Sequence, residues 1–342
     1  MNRQIDIAMK KGIKFLSSKQ KPPGEFTTKQ WIGDDACEKA LPLHPFRENP
    51  FSILYDPFTA PPKSDGKSVF ITSFILHSLK FLNEFINVEE MAQKAIKFLL
   101  NEKEEFGLWR FYGKKSDVPF DIDCTVCILA ALKEWGINLN YEKIASILKR
   151  YQNNHNVFHT WILDIDSRFS KIYYNNVDWV VNANVLYFYS LLKWDLPKVE
   201  QYLMKVVQTD DFKNHSIYYP SISGIYCLTR AYSYLINPQL ESYRTKIKRH
   251  LRKQTIDCKV DDSISSALII NSLENSHENK IFLSKLVNKL IKKQRKNGSW
   301  RNGVFFNVAL QKYPEIFFMW GSEELTTAFA LEAIVKYVEK SR

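Results

Sequence analysis

Two kinds of apolar spacing alternate along the chain. Around 5–19, 88–102, 141–152, 197–208, 239–254 and 278–294, apolar residues recur every three or four positions among Lys and Glu. That spacing predicts amphipathic helices with one wet face. Between them, 68–84, 122–135, 178–193, 221–236, 262–274 and 322–339 are apolar on nearly every side. A helix of that kind must be buried, and its amphipathic partner must cover it. Six such pairs predict two concentric layers, an all-α (α/α)6 barrel with an inner and an outer wall. The pairs use almost the whole chain, which predicts a single domain over 1–342.

Two stretches do not fit this alternation. Residues 31–66 contain Pro42, Pro45, Pro50, Pro57, Pro61 and Pro62 and read as a Pro-rich insertion. Residues 301–320 read as a shorter aromatic loop ending Phe317-Phe318-Met319-Trp320. Long loops in compact domains are lids, binding segments or surface excursions. The loops between paired helices carry a repeat. Gln20 to Gly24 to Phe26 and Gln294 to Gly298 to Trp300 fit Q-x-x-x-G-x-aromatic. Lys103 to Gly107 to Trp109 and Gln152 to Asn156 to Phe158 are degenerate copies in the same frame.

Composition narrows the class. Hydrophobic residues make up 45%, enough for a sizeable core, and the 11 Gly and 13 Pro are too few for a many-stranded β fold. The net charge of +11 gathers in runs such as residues 246–253. A solvated helix face accounts for this, with an anionic membrane surface or substrate as the functional alternative. No helix-turn-helix, RNP-like or zinc-finger pattern is present, so no nucleic-acid partner is expected. Cys124 and Cys127 have C-x-x-C spacing inside an apolar stretch, with no second pair to complete a zinc site. They read as reduced, buried thiols of a cytoplasmic protein, with peripheral membrane contact an option. The N-terminus lacks a signal-like apolar region, and no apolar run reaches the ~20 residues that span a bilayer.

The chemistry concentrates at Pro119-Phe120-Asp121-Ile122-Asp123-Cys124-Thr125, which opens the second inner helix. A cap and a first-turn acid would explain both carboxylates. In a ring, however, all inner helices run the same way and their N-termini gather at one mouth. Phe70, Phe120, Asp121, Asp123, Asp178, Trp179, Asn182, Asn184, Tyr218, Tyr219, Ser223, Asp261, Asp262, Trp320, Glu323 and Glu324 would meet there, with His77 two turns deeper. Asp178, Asp261 and Ser322 read most simply as caps. Phe70, His77, Phe120, Trp179, Asn182, Tyr218 and Trp320 are the candidate substrate contacts.

The Q-x-x-x-G-x-W loops resemble the QW repeats of squalene and oxidosqualene cyclases and the wider class II terpene cyclases. Those proteins carry D-x-D-D-T at the head of an inner helix, and Asp121-Ile122-Asp123-Cys124-Thr125 matches four of its five positions. The mismatch, Cys124, matches the D-C-T of the oxidosqualene cyclases. The resemblance implies that Asp123 is the general acid, Asp121 the carboxylate supporting it, and Cys124 the thiol beside it. Triterpene cyclases have two α-barrel domains and this chain has room for one. It therefore resembles monodomain cyclases of prenylated aromatic acids.

The chemistry of the residues agrees with that role. Protonating an alkene or epoxide needs a strong acid whose proton is held in place, and a second carboxylate can keep one proton in the pair. An apolar cavity excludes water, and faces such as Trp179, Tyr218 and Trp320 would stabilise a cation by ~0.5–2 kcal/mol each. No D-D-x-x-D motif follows Asp34-Asp35, Asp210-Asp211 or Asp261-Asp262, so initiation by protonation is expected over diphosphate loss. No cofactor is required, although Mg2+ would suit a diphosphate head group. His77, Tyr218 and water are the candidate terminating bases. The alternatives are a protein prenyltransferase β-like subunit, a lipid-binding α-barrel without catalysis, and a carbohydrate-active α/α barrel. The first needs a D-x-C zinc pair, but Ile122 and Ile256 stand two before Cys124 and Cys258.

Overall fold

A computed structural model describes residues 3–34, 41–42, 66–114, 116, 118–163, 176–235, 240–256, 260–274, 280–310 and 313–341. Most of the Pro-rich insertion lies outside the described residues. The described residues form twelve α-helices: α1 (Arg3–Lys19), α2 (Val69–Leu82), α3 (Glu89–Asn101), α4 (Ile122–Glu134), α5 (Tyr141–Leu148), α6 (Trp179–Leu191), α7 (Pro197–Gln208), α8 (Ser221–Tyr232), α9 (Leu240–Ile256), α10 (Ser263–Glu274), α11 (Lys280–Lys292) and α12 (Glu323–Ser341).

The even-numbered helices are the inner wall. Helix α2 packs on α4, α4 on α6, α6 on α8, α8 on α10, α10 on α12, and α12 closes the ring on α2. The alternation expected from the sequence is therefore observed as a closed toroid. On α4 and α6 the burial runs unbroken from Ile122 to Leu132 and from Trp179 to Tyr189. On the outer α3 only Met91, Ala92, Ala95, Ile96, Phe98 and Leu99 are buried, the single stripe that an amphipathic helix presents to a core.

Short polar side chains start five of the six inner helices at a common end, while α8 begins after Pro220 without a side-chain cap. Ser68 Oγ accepts from Ile71 N (3.2 Å), Asp178 Oδ1 from Val180 N (2.7 Å), Asp262 Oδ1 from Ser265 N (2.8 Å) and Ser322 Oγ from Leu325 N (3.1 Å). Each satisfies an amide that the helix leaves without a partner. The cap expected at Asp261 falls one residue later. Asp261 is exposed and pairs with Lys289 and Lys293 at 3.0 and 2.8 Å.

The loops of the repeat fasten this scaffold in one way. The aromatic residue's N–H donates to a polar side chain of the inner helix that follows: Phe26 to Thr72, Trp109 to Thr125, Phe158 to Asn182 and Trp300 to Thr327, at 2.9–3.3 Å. Gln20 Nε2 reaches Met91 O on the next outer helix (2.8 Å), and Gln294 Nε2 reaches Ala8 O (2.8 Å). The second of these links closes the outer wall from α11 to α1.

The described residues also form six strands: β1 (Lys29–Asp34), β2 (Leu41–Pro42), β3 (Phe120–Asp121), β4 (Trp161–Ile162), β5 (Phe306–Leu310) and β6 (Tyr313–Gly321). Four of them form an antiparallel sheet in the order β2-β1-β6-β5. Because β6 runs directly into the Ser322 cap, this sheet lies at the mouth of the toroid. The expected 301–320 loop is thus largely a hairpin. Its Phe306, Asn307 and Val308 are all buried, so it lacks the period-two alternation that reveals a half-buried strand.

Gly298 has φ +91°, and a Cβ there would come 2.3 Å from Lys11 O. Gly298→Ala is expected to destabilise the fold by about 1–3 kcal/mol, because it adds left-handed strain to a backbone clash. Equilibrium denaturation in urea would measure this, and an unchanged midpoint would contradict the account.

Candidate active site

Asp121 is the last residue of β3 and the cap of α4. Its backbone is held by the register Asp121↔Trp161, and its Oδ1 accepts from Cys124 N at 2.6 Å. Thr125 Oγ1 donates to Asp121 O at 2.8 Å. The other carboxyl oxygen, Oδ2, is buried without a hydrogen-bond partner. Asp123 sits two residues further, within the first turn, and is 4% exposed. Its Oδ1 accepts from Asn184 Nδ2 on α6 (2.8 Å), and its Oδ2 accepts a short hydrogen bond from the Tyr219 hydroxyl just before α8. The Cys127 thiol lies 3.9 Å from Oδ1.

A cation stands behind this pair. Arg230 Nη2 donates to Asn184 Oδ1 at 2.8 Å, so the same amide links the guanidinium to Asp123. Arg230 is buried, with its guanidinium over the rings of Tyr187 (4.4 Å), Phe74 (4.9 Å) and Tyr226 (5.7 Å). Burial raises both carboxyls because the charged form loses its water. Asp121 is pushed up to about 8, with the Asp123 charge adding to the rise and the Cys124 amide, the Cys124 thiol and the Arg110 charge opposing it. Asp123 is pushed up to about 6, restrained by the Tyr219 and Asn184 hydrogen bonds. The two carboxyls thus differ in environment. Asp123 has a stabilised conjugate base, while burial and the neighbouring charge favour the protonated form of Asp121.

Aromatic rings wall the pair. Phe70 lies 6.4 Å from Tyr219, 5.3 Å from Phe111 and 5.7 Å from Phe306. Phe306 also meets Tyr219 edge-on at 5.3 Å, stacks parallel to Tyr218 at 5.8 Å and meets Trp320 at 5.3 Å. Phe305 bridges Tyr219 and Phe74 at 5.9 and 4.7 Å. The hairpin segment therefore sits among the inner-helix rings.

Of the expected contacts, Phe70, Tyr218 and Trp320 gather around Phe306. Trp320 Nε1 donates to Tyr112 Oη (2.8 Å), and Trp161 Nε1 donates to Tyr218 Oη (3.0 Å). Phe120 lies under the Arg110 guanidinium at 3.8 Å. Trp179 packs so tightly against α8 that a Cβ on Gly224 would come 2.5 Å from its ring. Asn182 is occupied in fastening the loop at Phe158, through 2.9 and 3.0 Å hydrogen bonds, and it is Asn184 that meets Asp123. His77 is not beside the pair: its Nδ1 lies 2.7 Å from Glu134, in the last turn of α4. The Cys124 thiol is buried, and burial with both aspartates nearby holds it well above the usual range, hence protonated.

Tyr219, Asn184, Arg230, Phe305 and Phe306 take places the sequence reading did not single out as contacts. Arg230 carried a signal, being a lone cation in an apolar stretch that would be buried only with partners. Among the described residues, no group of three or more His, Cys, Asp or Glu could hold a metal ion.

No protein-family model and no curated protein matches the chain by sequence. Its fold, however, is that of solved helical-barrel proteins. The type II terpene cyclase MstE from Scytonema superposes with a TM-score of 0.70 at 13% identity, covering 97% of each chain. A protein from Actinoplanes superposes at 0.69 and 13%, covering 98% of this chain and 99% of that one. An unsaturated glucuronyl hydrolase specific for heparin reaches 0.56 at 12%, covering 100% and 98%. The chain therefore has a class II cyclase-like fold. Variants of MstE have been seen with geranylgeranyl dihydroxybenzoate as substrate and with merosterolic acid A as product.

Asp121 gives a stability test. Its pKa is raised from 3.8 to about 8, so the folded state binds a proton that the unfolded chain releases. Its contribution is fully present below the unfolded value and is lost as pH rises towards about 8. Asn keeps the capping oxygen without the charge. Asp121→Asn is therefore expected to raise Tm relative to the parent by an amount that grows from about pH 4 to about pH 8. A difference independent of pH in thermal melts would contradict it.

Proposed function

We propose that this chain is a class II isoprenoid cyclase, initiating by protonation and converting a linear polyprenyl or prenylated aromatic substrate into fused rings. The observation that carries the reading is the buried Asp121–Asp123 pair at the head of an inner helix. Donors are aimed at Asp123 and aromatic rings wall the site. The MstE complexes support a prenylated aromatic as the substrate class. The whole chain acts as one α/α-barrel domain in this reading.

Asp123 is the general acid. Its proton passes to a terminal alkene or epoxide, the O–H bond breaks as the new C–H or O–H bond forms, and the carboxylate keeps the electron pair. Tyr219, Asn184 and the α4 N-terminus stabilise that carboxylate, which makes Asp123 the stronger acid of the pair. Asp121 keeps a proton in the pair between turnovers. The cation left on the substrate is attacked by successive double bonds, with the faces of Phe70, Phe305 and Phe306 offering cation–π stabilisation of ~0.5–2 kcal/mol each. Loss of a proton ends the sequence. Sugar hydrolysis fits the site less well, because a sugar needs hydrogen-bonding groups for its hydroxyls, whereas the rings of Phe70, Phe305 and Phe306 surround Tyr219. No cofactor enters the reaction, and Mg2+ would serve only a diphosphate head group.

Incubation with geranyl to geranylgeranyl diphosphates, epoxides and prenylated hydroxybenzoates, followed by mass spectrometry and NMR, tests the reading. Cyclised products are expected from the parent chain. Asp123→Asn should lose at least about 10³-fold in kcat, with an unchanged circular dichroism spectrum, because the reacting proton is gone. Full activity in that variant would end the proposal.

The pH profile is a second check. The acid must be protonated, and both carboxyls are raised, to about 6 and about 8. Activity should therefore be highest at acid pH and fall through that window. Tyr219→Phe removes a donor to the Asp123 carboxylate, which weakens the acid. Its kcat should fall about 10- to 100-fold while the falling limb moves to higher pH. A limb that stays in place would remove Tyr219 from the role.

A further inference from the structure

The outer wall is electrically lopsided. Helices α9, α11 and α1 carry fifteen Lys and Arg against two acids, Glu241 and Asp6. Helices α3, α5 and α7, on the other half, carry five Lys against four Glu. The three basic helices are neighbours. Arg252 near the end of α9 lies 5.0 Å over Phe282 at the start of α11, and the Gln294–Ala8 hydrogen bond joins the end of α11 to α1. Asp210 pairs with Lys246, and Asp261 with Lys289 and Lys293, which leaves the wall strongly positive. A net charge that served only solubility would be expected on every side of the cylinder, and here the positive excess is concentrated on one.

Apolar side chains protrude from the same wall. Six large hydrophobic residues are exposed among the described residues, and three of them are Ile7 on α1 (45%), Ile256 on α9 (68%) and Ile281 on α11 (66%). Ile256 lies one turn beyond Arg252 and Ile281 is next to Phe282, so both flank the α9–α11 junction. A groove of about 440 Å³ beside it is lined by Thr245, Lys248, Arg249, Arg252, Lys253 and Ile256. Four of those six are cations that can meet phosphate oxygens.

We propose that the α9–α11–α1 wall docks the protein on an anionic membrane surface. The cations lie over lipid phosphates, and the isoleucines enter the boundary between head groups and acyl chains. Three adjacent helices form a face too broad for a small anion. Isoleucines, rather than base-stacking aromatics, favour a lipid surface over a nucleic acid. This inference is independent of the chemistry inside the barrel.

The test uses the full chain and sedimentation with vesicles. Vesicles containing about a third phosphatidylglycerol should bind it, pure phosphatidylcholine should bind at least about tenfold more weakly, and about 0.5 M salt should release most of it. Lys248→Gln, Arg249→Gln, Lys253→Gln and Lys285→Gln should each cost up to roughly fivefold. Ile256→Ser with Ile281→Ser should weaken binding several-fold at unchanged charge. Lys97→Gln with Lys198→Gln, on the opposite wall, should bind as the parent does. Circular dichroism checks that each variant is folded. Equal binding to neutral vesicles, equal loss from the opposite wall, or no binding would overturn the proposal. So would tighter binding to a DNA duplex that is indifferent to the isoleucine changes.

Discussion

Helices that are apolar on all sides leave one arrangement that hides every face. They must pack on one another in a closed circuit, with a second layer over the outside. The circuit α2-α4-α6-α8-α10-α12 meets that constraint, and its closure at α12 on α2 leaves no inner helix with an open flank. The position of the candidate site follows from the same closure. Connections through the outer wall make every inner helix run the same way, so their polar caps and positive dipole ends converge on one mouth. A capping aspartate that would be unremarkable on a lone helix then faces five other helix heads across an aromatic interior.

The mouth holds its charge at a cost in stability. Asp121 and Asp123 are buried, and burial opposes ionisation of both. The two are treated differently by their neighbours. Asp123 receives Tyr219, Asn184 and, through the amide, Arg230, whereas Asp121 Oδ2 has no hydrogen-bond partner. The asymmetry leaves Asp123 with the better-stabilised carboxylate and Asp121 with the more strongly raised pKa. The Arg230 guanidinium, stacked on three aromatic rings, sets its charge where it can be felt by Asp123 without facing water. The hairpin rings of Phe305 and Phe306 complete the apolar surroundings that strengthen these electrostatic effects.

The loops show how weak local signals become a repeated joint. Each aromatic N–H meets a polar side chain of the following inner helix, although that side chain is Thr in three cases and Asn in the fourth. The joint tolerates the exchange because it requires only an acceptor at that height of the helix. Asn182 is drawn into this framework, and Asn184, two residues along, turns towards the acid. On a helix, positions two apart point roughly 200° from each other, so Asn182 and Asn184 face opposite ways.

The sequence by itself determined the two helix classes, their number and alternation, and hence the toroid. Hydrophobic periodicity is local and each helix carries its own. It also marked Asp121 and Asp123, since a carboxyl pair at the head of an apolar helix is visible in a short window. Only the tertiary structure decided which side chains meet that pair. Tyr219 and Asn184 reach Asp123 from 96 and 61 residues away. Strand β6 pairs with β1 across almost the whole chain, as in Lys29↔Gly321. Such contacts depend on the radius and rotation of a closed ring, which no single segment encodes. His77 shows the same limit. Its segment placed it two turns below the mouth, but its partner Glu134, at the far end of α4, is set by how two inner helices lie against each other.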